Sequence, residues 1–144
     1  QQQQQLLLPP PWPKASPSPA LPSRPRAAGK RFEDDYRPDA RVLGTGVSGQ
    51  VRLAVCRRTG RRAAVKSFDR TTMTEKQWER ALGEPGIHAA LDHPGIAQLL
   101  GVYVERDAMY VVMECLEGGE LFGRLVARKR YSEAEVADVA RQVL

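Results

Sequence analysis

The sequence predicts an α+β fold for residues 35–144, with five strands, one helix between the third and fourth strands, and further helices after the fifth. Two observations predict it. From Tyr36 onward, short runs of branched apolar residues alternate with polar ones and are separated by turn residues. Two capping-box patterns, Thr74 with Gln77 and Ser132 with Glu135, each precede a helical spacing of apolar residues.

The first predicted strand runs from Tyr36 to Leu43 and leads into a glycine-rich turn, Gly44–Gly49. The next segment, Gln50–Cys56, alternates apolar and other residues with a period of two, which indicates a second strand. A dinucleotide-binding fold would place a helix after the last glycine, and a P-loop would place a lysine there instead of Gln50. The pattern therefore favours a glycine hairpin between two strands.

The third predicted strand, Arg61–Phe68, follows a Thr-Gly turn and places Ala64, Lys66 and Phe68 on one face. A small residue followed two positions later by a lysine suits a nucleotide. The small side chain lets the base approach, and the ammonium group reaches the phosphate oxygens as a point charge.

A helix is predicted to begin after Thr74 and to bury one face formed by Trp78, Ala81 and Leu82. Proline inside a helix removes a hydrogen bond and clashes with the carbonyl four residues earlier, at a cost of roughly 3 kcal/mol, and glycine adds about 1 kcal/mol. Because the helix meets a proline and a glycine, we expect it to break or kink between Gly83 and Gly86.

The last part of the chain predicts two strands, Leu99–Glu105 and Ala108–Met113, and then helices. The helix capped by Ser132 carries one apolar stripe, formed by Val136, Val139, Ala140, Val143 and Leu144. We expect this stripe to lack a partner within the chain and to make the chain prone to aggregation.

Taken together, the motifs resemble those of the protein kinases. Gly44–Val51 matches their glycine-rich loop G-x-G-x-x-G-x-V, Ala64–Lys66 matches their A-x-K strand, and His93–Ile96 matches H-P-x-I. Gly118–Arg124 resembles the G-G-E-L-F-x-R segment of calcium/calmodulin-dependent and calcium-dependent serine/threonine kinases. The resemblance implies a kinase N-lobe with a five-stranded antiparallel sheet and one helix, a hinge, and the start of a truncated helical C-lobe.

The resemblance also implies a function: the chain would be the ATP-binding portion of a serine/threonine kinase, which transfers the γ-phosphate of ATP to protein hydroxyls. Lys66 would hold the phosphates and pair with Glu84. Met113 would close the adenine pocket, backbone groups of Glu114 and Leu116 would bind the adenine edge, and Glu120 would meet the ribose. The full set of implied ATP-binding residues is Leu43, Gly44, Thr45, Gly46, Val47, Ser48, Gly49, Val51, Ala64, Lys66, Met113, Glu114, Leu116 and Glu120.

Two features limit this interpretation. The expected break at Pro85 makes the pair between Lys66 and Glu84 less secure. The family's H-R-D, D-F-G and A-P-E motifs do not occur in the sequence. We therefore expect both ends of the chain to be cut, the catalytic base and the Mg²⁺ ligands to lie in a missing C-lobe, and this fragment to be inactive alone. The alternative is a pseudokinase-type regulatory or interaction module, which the Pro85-Gly86 pair would suit.

Composition bears on partners and location. Residues 1–34 are rich in proline and glutamine and poor in apolar residues, which predicts disorder and a possible groove-binding partner for the prolines. The net charge of +5 is spread over short basic pairs without interleaved aromatics, which argues against nucleic acid. No run is apolar enough for a membrane helix or signal peptide, so no membrane partner and a cytoplasmic or nuclear location are expected. The cysteines and histidines lack metal-ligand spacing.

Overall fold

The computed structural model describes residues 29–46, 49–128 and 130–143. Val47 and Ser48 of the predicted phosphate loop, Leu144 of the predicted apolar stripe and most of the proline-rich segment therefore lie outside the described residues. The chain divides into two units, one covering Pro19–Leu116 and one that includes Glu117–Leu144. Each is described by itself below.

The first unit is built on a five-stranded sheet in the order β1-β2-β3-β5-β4, with every neighbouring pair antiparallel. This confirms the predicted α+β fold, including the helix between the third and fourth strands. The elements of this unit are α1 (Phe32–Asp35), β1 (Tyr36–Gly46), β2 (Gly49–Cys56), β3 (Arg62–Asp69), α2 (Glu75–Ala89), β4 (Leu99–Val104) and β5 (Ala108–Glu114).

The two faces of the sheet carry separate apolar clusters, because alternate residues of a strand point to opposite sides. In β3, Ala63 and Val65 belong to one cluster, while Phe68 belongs to the other. The second cluster also contains Trp78 and Ala81 of α2, so α2 covers the face that carries Phe68 and, two residues before it, Lys66. Burial of this face positions α2 beside the lysine.

A short helix, α1, covers the other face. Phe32 is only 2% exposed, and its ring stacks on Tyr36 and Tyr110 with centroids 5.7 and 4.6 Å apart. Its N–H donates to Oε1 of Glu105 at 3.0 Å. Disorder was predicted up to residue 34. Because Phe32–Asp35 form a helix, that boundary was placed too late in the chain. A helix of four residues has no periodicity to read, and long-range contacts stabilise it.

The helix α2 begins as predicted. The Gln77 N–H donates to Oγ1 of Thr74 at 3.3 Å, and the Thr74 N–H donates to Oε1 of Gln77 at 2.8 Å. The predicted break is wrong, because α2 continues through Pro85 to Ala89, and a kink at this place stays a prediction. The buried face of the helix is Trp78, Ala81 and Pro85, so apolar burial of the ring offsets the lost hydrogen bond. Leu82, expected on this face, is instead 43% exposed.

The second unit contains α3 (Leu121–Arg128) and α4 (Glu133–Val143). The Ser132 cap forms as predicted: its Oγ accepts from the Glu135 N–H at 3.3 Å, and its N–H donates to Oε2 of Glu135 at 2.9 Å. The side chains of Val136 and Val143 are 53% and 74% exposed. An apolar groove of about 390 Å³ runs along the two helices, lined by Leu125, Tyr131, Val136, Val139, Ala140 and Val143. Aggregation through this groove stays a prediction.

Within the described ranges, no helix combines the length and the apolar character needed to cross a bilayer.

Candidate functional site

Three strands bring the glycine turn, a valine and the lysine side by side. Gly44 of β1 is paired with Val51 of β2, and Val51 is paired with Lys66 of β3. Residues directly opposite each other in neighbouring strands project to the same face, so the Val51 and Lys66 side chains lie together. The half-buried Val51 thus places an apolar side chain beside Lys66.

A second pair of facing residues lies on β3 and β5, two positions away from Lys66 along β3. Ala64 is paired with Met113 of β5, and both lie on the face that carries Lys66. Ala64 is 7% exposed, and Met113 packs at the edge of the cluster beneath α2. A small residue opposite a flexible thioether leaves a shallow apolar surface beside the lysine, which is the chemistry that a planar aromatic base requires.

The lysine forms an ion pair with Glu84. Lys66 Nζ donates to Oε1 of Glu84 at 2.8 Å, although the two residues lie on different elements. The α2 helix makes this contact possible, because Ala81 anchors it on the sheet one turn before Glu84. The pair is thus formed, and the helix that carries Glu84 continues through Pro85; a weakening of the pair by Pro85 stays a prediction.

An aromatic ring also contacts the lysine. Lys66 Nζ lies 4.8 Å from the centroid of Phe68, which is 3% exposed. Both residues were predicted on one face of the strand, but no role was predicted for Phe68. The only signal was their spacing of two, because a cation and a ring at positions i and i+2 of a strand are neighbours on one face.

The segment after β5 is tied to the loop before β4. The Glu114 N–H donates to the Gln98 carbonyl at 2.9 Å, and the Gln98 N–H donates to Oε2 of Glu114 at 3.2 Å. The Glu114 N–H is therefore occupied, and any backbone bond from this residue to an adenine would use its carbonyl oxygen. Leu116 is 66% exposed, so its backbone lies in an accessible segment.

Gly44 and Gly49 of the turn suit glycine for different structural reasons. Gly49 has φ of +117°, a conformation that residues with a Cβ rarely adopt. At Gly44, a Cβ would meet no heavy atom of the described chain within 4 Å. Internal packing therefore does not explain Gly44, whereas the close approach of a ligand to the backbone would. Of the other predicted loop residues, Thr45 is exposed and Gly46 ends β1.

Leu43 and Glu120 are the remaining predicted contacts. Leu43, beside the glycine turn, is 38% exposed, and its contact with a ligand stays a prediction. Glu120 precedes α3 in the second unit and is exposed. Its predicted contact with a ribose rests on the sequence resemblance.

Comparisons with known proteins agree with this geometry. Residues 38–144 match the family model described as protein kinase domain. The chain is 38% identical over 104 residues to calcium/calmodulin-dependent protein kinase type 1 of Macrobrachium nipponense, a match that covers 72% of this chain and 30% of that protein.

Calcium-dependent kinases give similar matches. The chain is 40% identical over 125 residues to calcium-dependent protein kinase 9 of Oryza sativa subsp. japonica, covering 85% of this chain and 21% of the relative. It is 36% identical over 112 residues to calcium-dependent protein kinase 5 of Plasmodium falciparum, covering 78% and 19%. The chain thus spans less than a third of the length of these relatives. The paired sheet residues and the formed ion pair agree with the family match. The chain therefore belongs to the protein kinase family, and it resembles the calcium/calmodulin-dependent and calcium-dependent kinases.

Proposed function

We propose that the sheet unit binds ATP, and that these residues serve as the nucleotide-binding part of a serine/threonine protein kinase. The observation that carries the proposal is the 2.8 Å contact between Lys66 and Glu84. Glu84 fixes the ammonium group of Lys66, so this group would already be in position to bind phosphate oxygens.

The residues around the ion pair fit a bound nucleotide. The backbone at Gly44 is open to close approach, which suits the triphosphate. The Ala64 and Met113 side chains offer an apolar surface for the base, and the Glu114 carbonyl and the Leu116 N–H would supply the polar edge contacts. The remaining predicted loop contacts come from Leu43, Thr45, Gly46, Val47, Ser48, Gly49 and Val51, and Glu120 would bind the ribose.

ATP with Mg²⁺ would supply the transferable phosphoryl group, and the aspartate and asparagine that hold Mg²⁺ in kinases belong to motifs that do not occur in this sequence. We therefore expect the 144-residue chain to bind ATP without transferring phosphate. Phosphoryl transfer to protein hydroxyls is proposed for a longer protein that includes the catalytic motifs. A longer protein that binds ATP but transfers no phosphate would instead support the regulatory, pseudokinase-type alternative.

Methyl NMR offers a direct test, because the chain contains only three methionines. In a chain labelled at the methionine methyl groups, adding MgATP should shift the methyl resonance of Met113, which lies in the proposed base site. The methyl resonance of Met73, just before α2, should stay nearly unchanged. Lys66→Gln should weaken the fitted affinity by about tenfold, the loss expected for one charge-assisted phosphate contact. Lys76→Gln, at an exposed lysine of α2, is the matched control and should bind as the natural chain does. Equal affinity in both variants would contradict the proposal.

A further inference from the structure

Phe68 is a core residue that also contacts the charged group of the site. It lies two residues after Lys66 on the same face of β3, and the ammonium nitrogen of Lys66 is 4.8 Å from its ring centroid. The lysine side chain is only 17% exposed, so it has lost much of its water. A desolvated ammonium group needs compensating partners.

Glu84 supplies only part of that compensation. Its side chain is 53% exposed, so solvent screens its attraction for Lys66. The ring of Phe68 is not exposed to this screening, because its exposure is 3% and it is held by Trp78 and Ala81 of α2 and by Met109 and Val111 of β5. The ring is thus the buried partner of the ammonium group, and the carboxylate is the exposed one.

We propose that Phe68 is a positioning residue for phosphate binding. Its ring face holds the Lys66 ammonium by a cation–π contact, so the lysine already lies beside the glycine turn before a nucleotide binds. The negative face of the ring attracts the cation on one side while Glu84 attracts it on another, which restricts the lysine to one arrangement. This inference rests on the proposed ATP-binding function.

The same ring also joins the lysine to the helix. Phe68 packs on Trp78 and Ala81, and α2 carries Glu84. A displacement of α2 would therefore move the carboxylate away, whereas the ring of Phe68 would stay beside Lys66 on β3.

The first test needs no nucleotide. In a chain labelled at lysine, the Hε protons of Lys66, assigned with Lys66→Arg, should resonate upfield of ordinary lysine values because they lie over an aromatic face. Phe68→Leu should abolish the upfield shift, and Phe68→Tyr should keep it. An ordinary lysine shift in the natural chain would overturn the proposal, whether or not the chain binds ATP.

The second test separates ring electrostatics from packing. Mono-, di- and trifluorinated phenylalanine placed at position 68 weaken the negative face of the ring stepwise while barely changing its volume. MgATP affinity should fall stepwise, by about twofold to fivefold across the series, as expected for loss of a cation–π contact. The matched control is the same series at Phe32, a ring 2% exposed on the opposite face of the sheet, and it should leave affinity unchanged.

The outcomes are distinguishable. Affinity that is insensitive to fluorination at position 68 while Phe68→Leu weakens binding would mean that Phe68 acts by packing, and would overturn the proposal. A chain that fails to bind MgATP at all would contradict the proposed function, and the upfield shift of Lys66 would then decide the inference by itself.

Discussion

The ion pair at the centre of the site joins two side chains of unequal exposure. Lys66 is 17% exposed and Glu84 is 53% exposed, with 2.8 Å between Nζ and Oε1. Coulomb attraction to a half-exposed carboxylate is screened by water, and exposed pairs contribute little to stability. We therefore propose that the pair places the ammonium group and adds little to the free energy of unfolding.

This distinction gives a prediction for Glu84→Gln. The amide keeps the shape of the side chain and removes its charge, so the free energy of unfolding should fall by less than about 1 kcal/mol. Affinity for MgATP should fall by about fivefold or more, because the lysine loses the charge that holds it in place. Urea unfolding measures the first quantity, and the methionine methyl titration measures the second.

Glu79→Gln is the matched control, since Glu79 is an exposed glutamate on the same helix. It should change neither quantity. If Glu84→Gln lowered stability strongly and left affinity intact, the pair would be a structural contact and its positioning role would be wrong.

At the level of elements, local patterns predicted most of the sheet. The alternation in β3 placed Ala64 and Lys66 on one face, and the strand pairings add that Val51 of β2 projects to the same face. The glycine turn and both capping boxes were equally readable, because each depends on residues a few positions apart. Such features are determined by neighbours in the chain.

The errors occurred where distant contacts outweigh local preference. Pro85 disfavours a helix, yet it is buried together with Trp78 and Ala81 and the helix continues. Phe32 stands alone in a polar stretch, yet it packs against aromatic residues about 70 positions later. The strand residues that cover the buried face of α2, and the rings that pack on Phe32, are not visible from a window of sequence, because sheet order decides which residues meet.

The capped start of α2 gives the second prediction. Thr74→Ala removes the hydroxyl that accepts from the Gln77 N–H, leaving a helix donor without its partner. The free energy of unfolding should fall by about 1 kcal/mol. Thr74→Ser retains the hydroxyl and should recover most of that loss in the same urea titration. If both variants lost stability equally, the methyl group of Thr74, and not its capping bond, would be the stabilising part.

At the scale of the whole sheet unit, one face is closed by an aromatic cluster that contains three tyrosines. Burial raises the pKa of Tyr36, of Tyr103 and of Tyr110. Tyr103 is affected further, because its hydroxyl donates to Oδ2 of Asp35 at 2.9 Å and must keep its proton to do so. The cluster joins α1 to β1, β4 and β5, so its ionisation bears on the stability of the whole unit.

The sign of the pH dependence follows from these shifts. A tyrosine in the unfolded chain ionises near pH 10, whereas the folded pKa values lie higher. Above about pH 10 the unfolded state therefore binds fewer protons than the folded state, and stability falls as the pH rises through the folded pKa values. Below that range this contribution is fully present. Urea unfolding followed by tryptophan fluorescence should show no decline in the free energy of unfolding from pH 7 to about pH 9.5 and a steep decline beyond pH 10.

Tyr103→Phe tests the assignment of this decline to the cluster. The variant loses the hydrogen bond to Asp35, so it should be less stable at pH 7 by about 1 kcal/mol. It also loses one hydroxyl that resists ionisation in the folded state, so its stability should fall less steeply above pH 10 and approach that of the natural chain. Tyr131→Phe, in the other unit and outside the cluster, should keep the full alkaline decline. Parallel curves for the natural chain and Tyr103→Phe would show that the loss arises elsewhere, because a buried hydroxyl that donates to a carboxylate cannot ionise without weakening the fold.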